Sequence, residues 1–154
     1  MALQDQAGRI TGLVLVNAVG VEVPDEPIRD FFALDPRSAA EFSFHDSSRF
    51  YRDPATIPAE QAAEQKANMT TMRSLAGDPY MHDPTLLSRL SKITIPVLVI
   101  WGESDRIATP AYGRAYANGF ARARFEPVSA AGHLPQIERP APTLMLIKQH
   151  AIAT

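Results

Sequence analysis

IPVLVIWGESDRIATP, residues 95–110, is the stretch that decides the fold. Its first seven residues form an almost unbroken apolar run, which suits a strand covered on both faces rather than one lying on water. Gly102 permits a tight turn at the end of that run, and Asp105 follows just beyond it. Working outward, GLVLVN at 12–17 is a second run of the same kind. RFEPVS at 124–129 is a weaker third, because Pro127 cannot donate to a ladder and confines the segment to a sheet edge or an early end. Residues 110–120 read as a helix with Thr109 as N-cap and proline in the first turn. Residues 141–152 read as another, with Leu144, Ile147 and Ile152 at roughly helical spacing and Lys148 and His150 near its C-terminal end. Alternation of strand and helix predicts a parallel α/β layer of about three strands flanked by helices.

Composition bounds the function classes. At 154 residues the chain is long enough for one core, and 45% hydrophobic with 21% charged is ordinary for a globular domain. A formal net charge of −2 supplies no basic face for a phosphate backbone, so nucleic acid is not an expected partner. The absence of cysteine removes disulfides, thiolate metal sites and cysteine catalysis. No His/Asp/Glu grouping has metal-ligand spacing, and no cofactor motif occurs, so neither a metal nor a cofactor is expected. The opening MALQDQAGRI is polar and mixed, unlike a secretory signal, and the apolar runs are strand-sized, far short of a membrane span. A soluble cytoplasmic protein with no membrane partner is the expectation.

Residues 23–90 differ in character from what flanks them. Half of the chain's twelve aromatics fall in one short span of it, at Phe31, Phe32, Phe42, Phe44, Phe50 and Tyr51. Helices are predicted at 58–75 and at 84–91, the latter capped by Asp83, and no strand signal appears. The segmentation is therefore 1–22 for the first strand of the core, 23–90 for a helical insertion over the strand ends, and 91–154 for the strand–helix–strand–helix portion. The aromatics either pack the insertion's own core or line a pocket beneath it.

In an open parallel sheet, ligands bind outside the carboxyl ends of the strands. Asp105 lies just past one such end, and His133, in AGHLPQIERP at 131–140, lies in the loop after the next strand. A carboxylate there can accept the imidazole Nδ1 proton, fixing the tautomer and leaving Nε2 to take a proton from a nucleophile or water. Taken singly, an Asp after a strand is more often a turn or cap residue, and a Gly-His is commonly a plain loop histidine. The topology that brings both to one end of the sheet makes the pair more telling than either. Glu103 is a competitor for Asp105 but points differently in so tight a turn, and His45, His82 and His150 are expected on exposed loops or helix ends.

At this point the motifs resemble a family. IPVLVIWGESDRIATP is similar to the acid-bearing strand and loop of α/β-hydrolase fold enzymes, and AGHLPQIERP to their histidine loop. The resemblance implies that Asp105 is the triad acid and His133 the triad base. It also implies that Ile107 and Leu134 face the pocket, that RITGLVLVNAVG is the sixth strand of the family's sheet, and that 23–90 is its cap. The fold class implied is a partial α/β-hydrolase fold.

That family orders its triad Ser, Asp/Glu, His, with the serine on a G-x-S-x-G elbow. No such elbow occurs in this sequence, and no serine present stands on a strand–turn–helix. The expectation is a truncated hydrolase whose parent activity is cleavage of an ester or related bond of a small apolar substrate, with this chain alone inactive. A non-catalytic interaction module and a half-enzyme complemented by a separate N-terminal half are the alternatives. Both use the strand at 12–17, whose apolar edge invites self-association or a partner strand.

Overall fold

A computed structural model of the chain describes residues 8–153, so most of the polar opening stretch and the start of the first segment lie outside the described residues. Three strands form one parallel sheet in the order β1 (Leu13–Val16), β2 (Val97–Gly102), β3 (Ala123–Val128). Register runs from Leu13 opposite Val97 to Val16 opposite Ile100, and from Val97 opposite Ala123 to Gly102 opposite Val128. Every residue of the central strand β2 is buried, as a run apolar on both faces requires. Pro127 sits on β3, an edge strand, where its missing N–H breaks no second ladder.

The alternation of β2 side chains separates two apolar layers. Val97, Val99 and Trp101 face one side, where they pack with Tyr112, Tyr116 and Ala117 of α5 (Pro110–Asn118). Leu98 and Ile100 face the other, against Val128, Ala131 and the Leu146 and Ile147 side chains of α7 (Pro140–Ala153). Each fully buried aliphatic side chain of β2 contributes about 1.5–3 kcal/mol, which makes this strand the anchor of the fold. Thr109 caps α5 as its sequence promises, accepting the Tyr112 N–H, and Pro110 opens the helix. The Tyr112 hydroxyl accepts the Gly20 and Val21 N–H groups and donates to the Val21 carbonyl, which ties the chain leaving β1 to α5.

Between β1 and β2 the chain is helical, with one isolated bridge, Val21 to Asp83. The helices are α1 (Pro36–Ser43), α2 (Ser47–Phe50), α3 (Ala59–Ala76) and α4 (Leu86–Arg89), with single 3-10 turns at Phe31–Ala33, Pro54–Thr56 and Leu90–Lys92. α3 matches the helix expected at 58–75. The helix expected at 84–91 is shorter and breaks into α4 and a 3-10 turn, and Asp83 stands outside it, bound to the Thr85 N–H and hydroxyl and to Arg89. α1 and α2 have no counterpart in the sequence reading. Their starts are set locally by Asp35 and Asp46, each of which accepts first-turn N–H groups. A short α6 (Pro135–Glu138) precedes α7.

His150 corrects half of an expectation: it stands in the last turn of α7, a helix end, but is buried there rather than exposed. His45 is exposed and His82 is half-buried, its Nδ1 on the Tyr80 carbonyl.

Candidate functional site

The acid loop and the histidine loop meet at the carboxyl end of β2 and β3. His133 Nδ1 lies 2.8 Å from Asp105 Oδ2. A carboxylate oxygen only accepts, so Nδ1 carries a proton, and in the neutral imidazole the lone pair is on Nε2. The Asp105 side chain is wholly buried, whereas the His133 side chain keeps 24% of its surface. Oδ2 also accepts from Asn17 Nδ2 at 2.6 Å, and Oδ1 accepts the backbone N–H groups of Ile107 at 2.8 Å and Ala108 at 3.1 Å. Four donors thus satisfy a buried carboxylate and fix its rotamer.

Asn17 is a functional neighbour that the motif reading does not name. It follows β1 with φ of 43°, a left-handed conformation that asparagine tolerates, and this turns its amide toward Asp105. Its Oδ1 accepts the Gly102 N–H at 3.1 Å, so one buried amide joins β1, the end of β2 and the acid. The signal available in the sequence is an asparagine placed immediately after an apolar strand.

Two glycines allow the loops to touch. A Cβ on Gly102 would stand 1.9 Å from the Gly132 carbonyl oxygen, and a Cβ on Gly132 would stand 2.2 Å from the Ser43 carbonyl oxygen. His133 donates its backbone N–H to that same Ser43 carbonyl at 2.6 Å, seating the histidine loop against the end of α1. Glu138 completes the arrangement. Its carboxylate accepts the Gly132 N–H at 2.5 Å and the His45 and Asp46 N–H groups at 2.9 and 3.2 Å, tying the histidine loop to the α1–α2 turn.

Above this pair lies a cavity of about 500 Å³. Its floor includes His133, Leu134 and Ile107, and its walls come from the helical segment, with Phe31, Phe44, Phe50 and Tyr51 among them. Four of the six clustered aromatics therefore face this space, while Phe42 lies beneath the Arg29 guanidinium, 3.8 Å from ring centre to carbon. Burial raises the pKa of Tyr80, another wall residue, with a smaller contribution from the Asp30 charge, and its hydroxyl accepts the Phe31 N–H. Ile107 and Leu134 both line this cavity. Glu103 is exposed and takes no part.

The serines are arranged otherwise. Ser104 contacts His45 Nδ1 at 2.7 Å on the exposed rim, Ser38 and Ser48 bind Asp35 and Asp46, and Ser129 is exposed. Ser43 lines the cavity beside His133, but its hydroxyl makes no hydrogen bond with the imidazole. Among the described residues no three His, Asp or Glu side chains gather as metal ligands, and no helix is long and apolar enough to cross a membrane.

An acid-held imidazole facing a cavity at the ends of parallel strands is what an α/β-hydrolase presents, and the chain belongs to the alpha/beta hydrolase family, whose family model matches residues 1–144. Among solved structures it is similar to a meta-cleavage product hydrolase from Pseudomonas fluorescens IP01, at 17% identity and a TM-score of 0.76 over 99% of this chain and 59% of that one. It is also similar to a bacterial membrane phospholipase A, at 20% identity and a TM-score of 0.71 over 99% and 52%. A third likeness is to an N-acyl homoserine lactone degrading enzyme, at 22% identity and a TM-score of 0.62 over 94% and 60%. These likenesses are of fold. The chain spans little more than half the length of each of those structures. No curated protein matches it in sequence.

Proposed function

We propose that Asp105 and His133 are the acid–base pair of a hydrolase that cleaves an ester or related bond of a small apolar substrate through a Ser-Asp-His mechanism. The observation that carries this reading is the Nδ1–Oδ2 contact of 2.8 Å with the imidazole on the floor of an apolar cavity. In the mechanism, His133 Nε2 takes the proton of a serine hydroxyl as that oxygen attacks the scissile carbonyl. Asp105 stabilises the imidazolium so formed, and the proton passes to the leaving group as an acyl-serine forms. Water deprotonated by His133 then releases the acid and restores the serine. Residues 23–90 serve as the cap, and their aromatics select the substrate's apolar body. A cytoplasmic location goes with this reading, and fractionation of cells producing the protein checks it.

No described serine is placed to act as that nucleophile, so residues 8–153 by themselves are inactive on this reading. A fluorophosphonate probe tests the point: the isolated chain stays unlabelled, and covalent labelling of Ser43 or any other serine here would sink it.

A second reading follows from the surface. β1 pairs only with β2 among the described residues, and Ile137, Leu144 and Met145 are exposed on α6 and α7. An open strand edge and exposed apolar side chains suit a partner that adds a strand, either a separate half carrying a G-x-S-x-G elbow or a second copy of this chain. Mixing the chain with such an elbow-bearing half and measuring ester hydrolysis separates a complemented half-enzyme, which gains turnover, from a non-catalytic module, which binds and gains none.

A further inference from the structure

The walls of the cavity carry one permanent charge. Of its lining residues only Arg52 is a strong cation, no carboxylate is present, and the rest besides His133 are apolar or uncharged. Arg52 also lines a second cavity of about 570 Å³, which shares Phe31, Pro36, Ala39 and Phe50 with the first. That second space again has cations and no acid on its walls, namely Arg52, Lys66 and Arg73.

The other arginines of the helical segment are occupied. Arg29, Arg37 and Arg49 lie over the rings of Phe42, Tyr51 and Phe50. Arg73 covers Phe32 and donates to its carbonyl, and Arg89 pairs with Asp83. Among the described residues Arg52 has no ion-pair, hydrogen-bond or ring partner, although Asp53 is its chain neighbour, because the Asp53 carboxylate is turned to the Ala55 N–H. A guanidinium left unpaired on the wall of an apolar space has its fork of donors available to a planar anion.

We infer that Arg52 is the anion-recognising residue of this cavity and that its ligand is an amphiphilic acid, an apolar body of the size of an aryl or short alkyl chain bearing a carboxylate. The apolar body fills the first cavity between Phe44, Met72 and Met81, and the carboxylate is held at the junction with the second, where Lys66 and Arg73 add to the positive field. The inference rests on the reading of this space as the hydrolase's substrate pocket and narrows its substrate from apolar to apolar and anionic. A neutral ester bond at His133 and a free carboxylate at Arg52 are then separate parts of one molecule.

The test is equilibrium binding of 4-phenylbutyrate and its neutral analogue 4-phenylbutyramide to the isolated chain by calorimetry. NMR contacts from the aryl protons to the Met72 and Met81 methyls locate the site. The expected result is that the acid binds about tenfold more tightly than the amide. Arg52→Gln removes that difference without weakening the amide, and Arg52→Lys keeps part of it. Because Arg52 is exposed, neither variant endangers folding. Equal binding of the two probes, contacts elsewhere than the cavity, or a parallel loss of both probes in Arg52→Gln each overturns the inference. No turnover is needed, so these outcomes leave the Asp105–His133 pair to be judged by its own labelling and complementation experiments.

Discussion

The loops at the end of the sheet and the helical segment above them are held together differently. At the sheet, Gly102, Gly132 and the Ser43 carbonyl meet at distances that leave no room for a methyl group, and a buried Asp, Asn and backbone network fixes each partner. In the segment above, every residue of α3 except Ala76 is exposed, and α1 and α2 are begun by single Asp side chains. The contrast places geometric precision at the Asp105–His133 pair and leaves adaptability in the helices around the cavity. Elements with few buried contacts lie at the low end of local stability, so the roof of the cavity opens more readily than its floor.

The strongest way to break this contrast is Gly132→Ala. A Cβ at 2.2 Å from the Ser43 carbonyl forces the histidine loop off α1, and with it the His133 N–H bond to that carbonyl. The expected cost is about 3 kcal/mol, the upper part of the usual overpacking range, because the obstacle is backbone rather than a movable side chain. Denaturant unfolding measures it. A loss under 0.5 kcal/mol would mean that the loops are no tighter than the helices above.

Next in size is Asn17→Ala, which strips the Gly102 N–H of its acceptor and Asp105 of a donor while leaving the His133 contact possible. Leaving a buried donor unmet costs about 2 kcal/mol. If unfolding free energy is unchanged, Asn17 is an accessory and the acid is held by His133 and the Ile107 and Ala108 amides.

The strands of the sheet and the Asp105–His133 contact were legible because both follow from local pattern: long apolar runs, then a glycine, then a polar residue at a strand end. Asn17 was not, since one asparagine after a strand has several roles and only the fold brings it, 88 residues away in sequence, to Asp105. Glu138 escaped for the same reason, as its partners lie on two separate loops. α1 and α2 were missed because their signals, Asp35-Pro36 and Asp46-Ser47, are two residues long, and too little periodic sequence follows them to declare a helix. His150 misled because a histidine near a helix end reads as a dipole partner, while α7 carries it into contact with the body of the protein.

A smaller effect probes the α5 side of the sheet. Burial raises the Tyr116 pKa to about 12, with the neighbouring Tyr112 hydroxyl a lesser cause, and burial raises Tyr112 as well. A tyrosine whose folded pKa exceeds its unfolded value near 10 adds stability that is complete below pH 10 and lost as pH rises toward 12. Tyrosinate absorbance should therefore show a late step that Tyr116→Phe removes, and the variant should lose less stability than the parent between those pH values. A parent spectrum complete before pH 11 would show that water reaches α5.

The smallest effect belongs to α3. Leu75 is 80% exposed near the helix's C-terminal end, so Leu75→Gln removes almost no buried surface. Glutamine is also nearly as good a helix former as leucine, which leaves propensity unchanged. Stability should move by no more than about 0.5 kcal/mol, the ordinary range for a surface substitution. Amide exchange along 60–74 in both proteins should be faster than along β2, where every residue is buried. A loss of 2 kcal/mol would mean that another surface covers α3 in solution, and the helix would then belong with the tightly held half of the contrast.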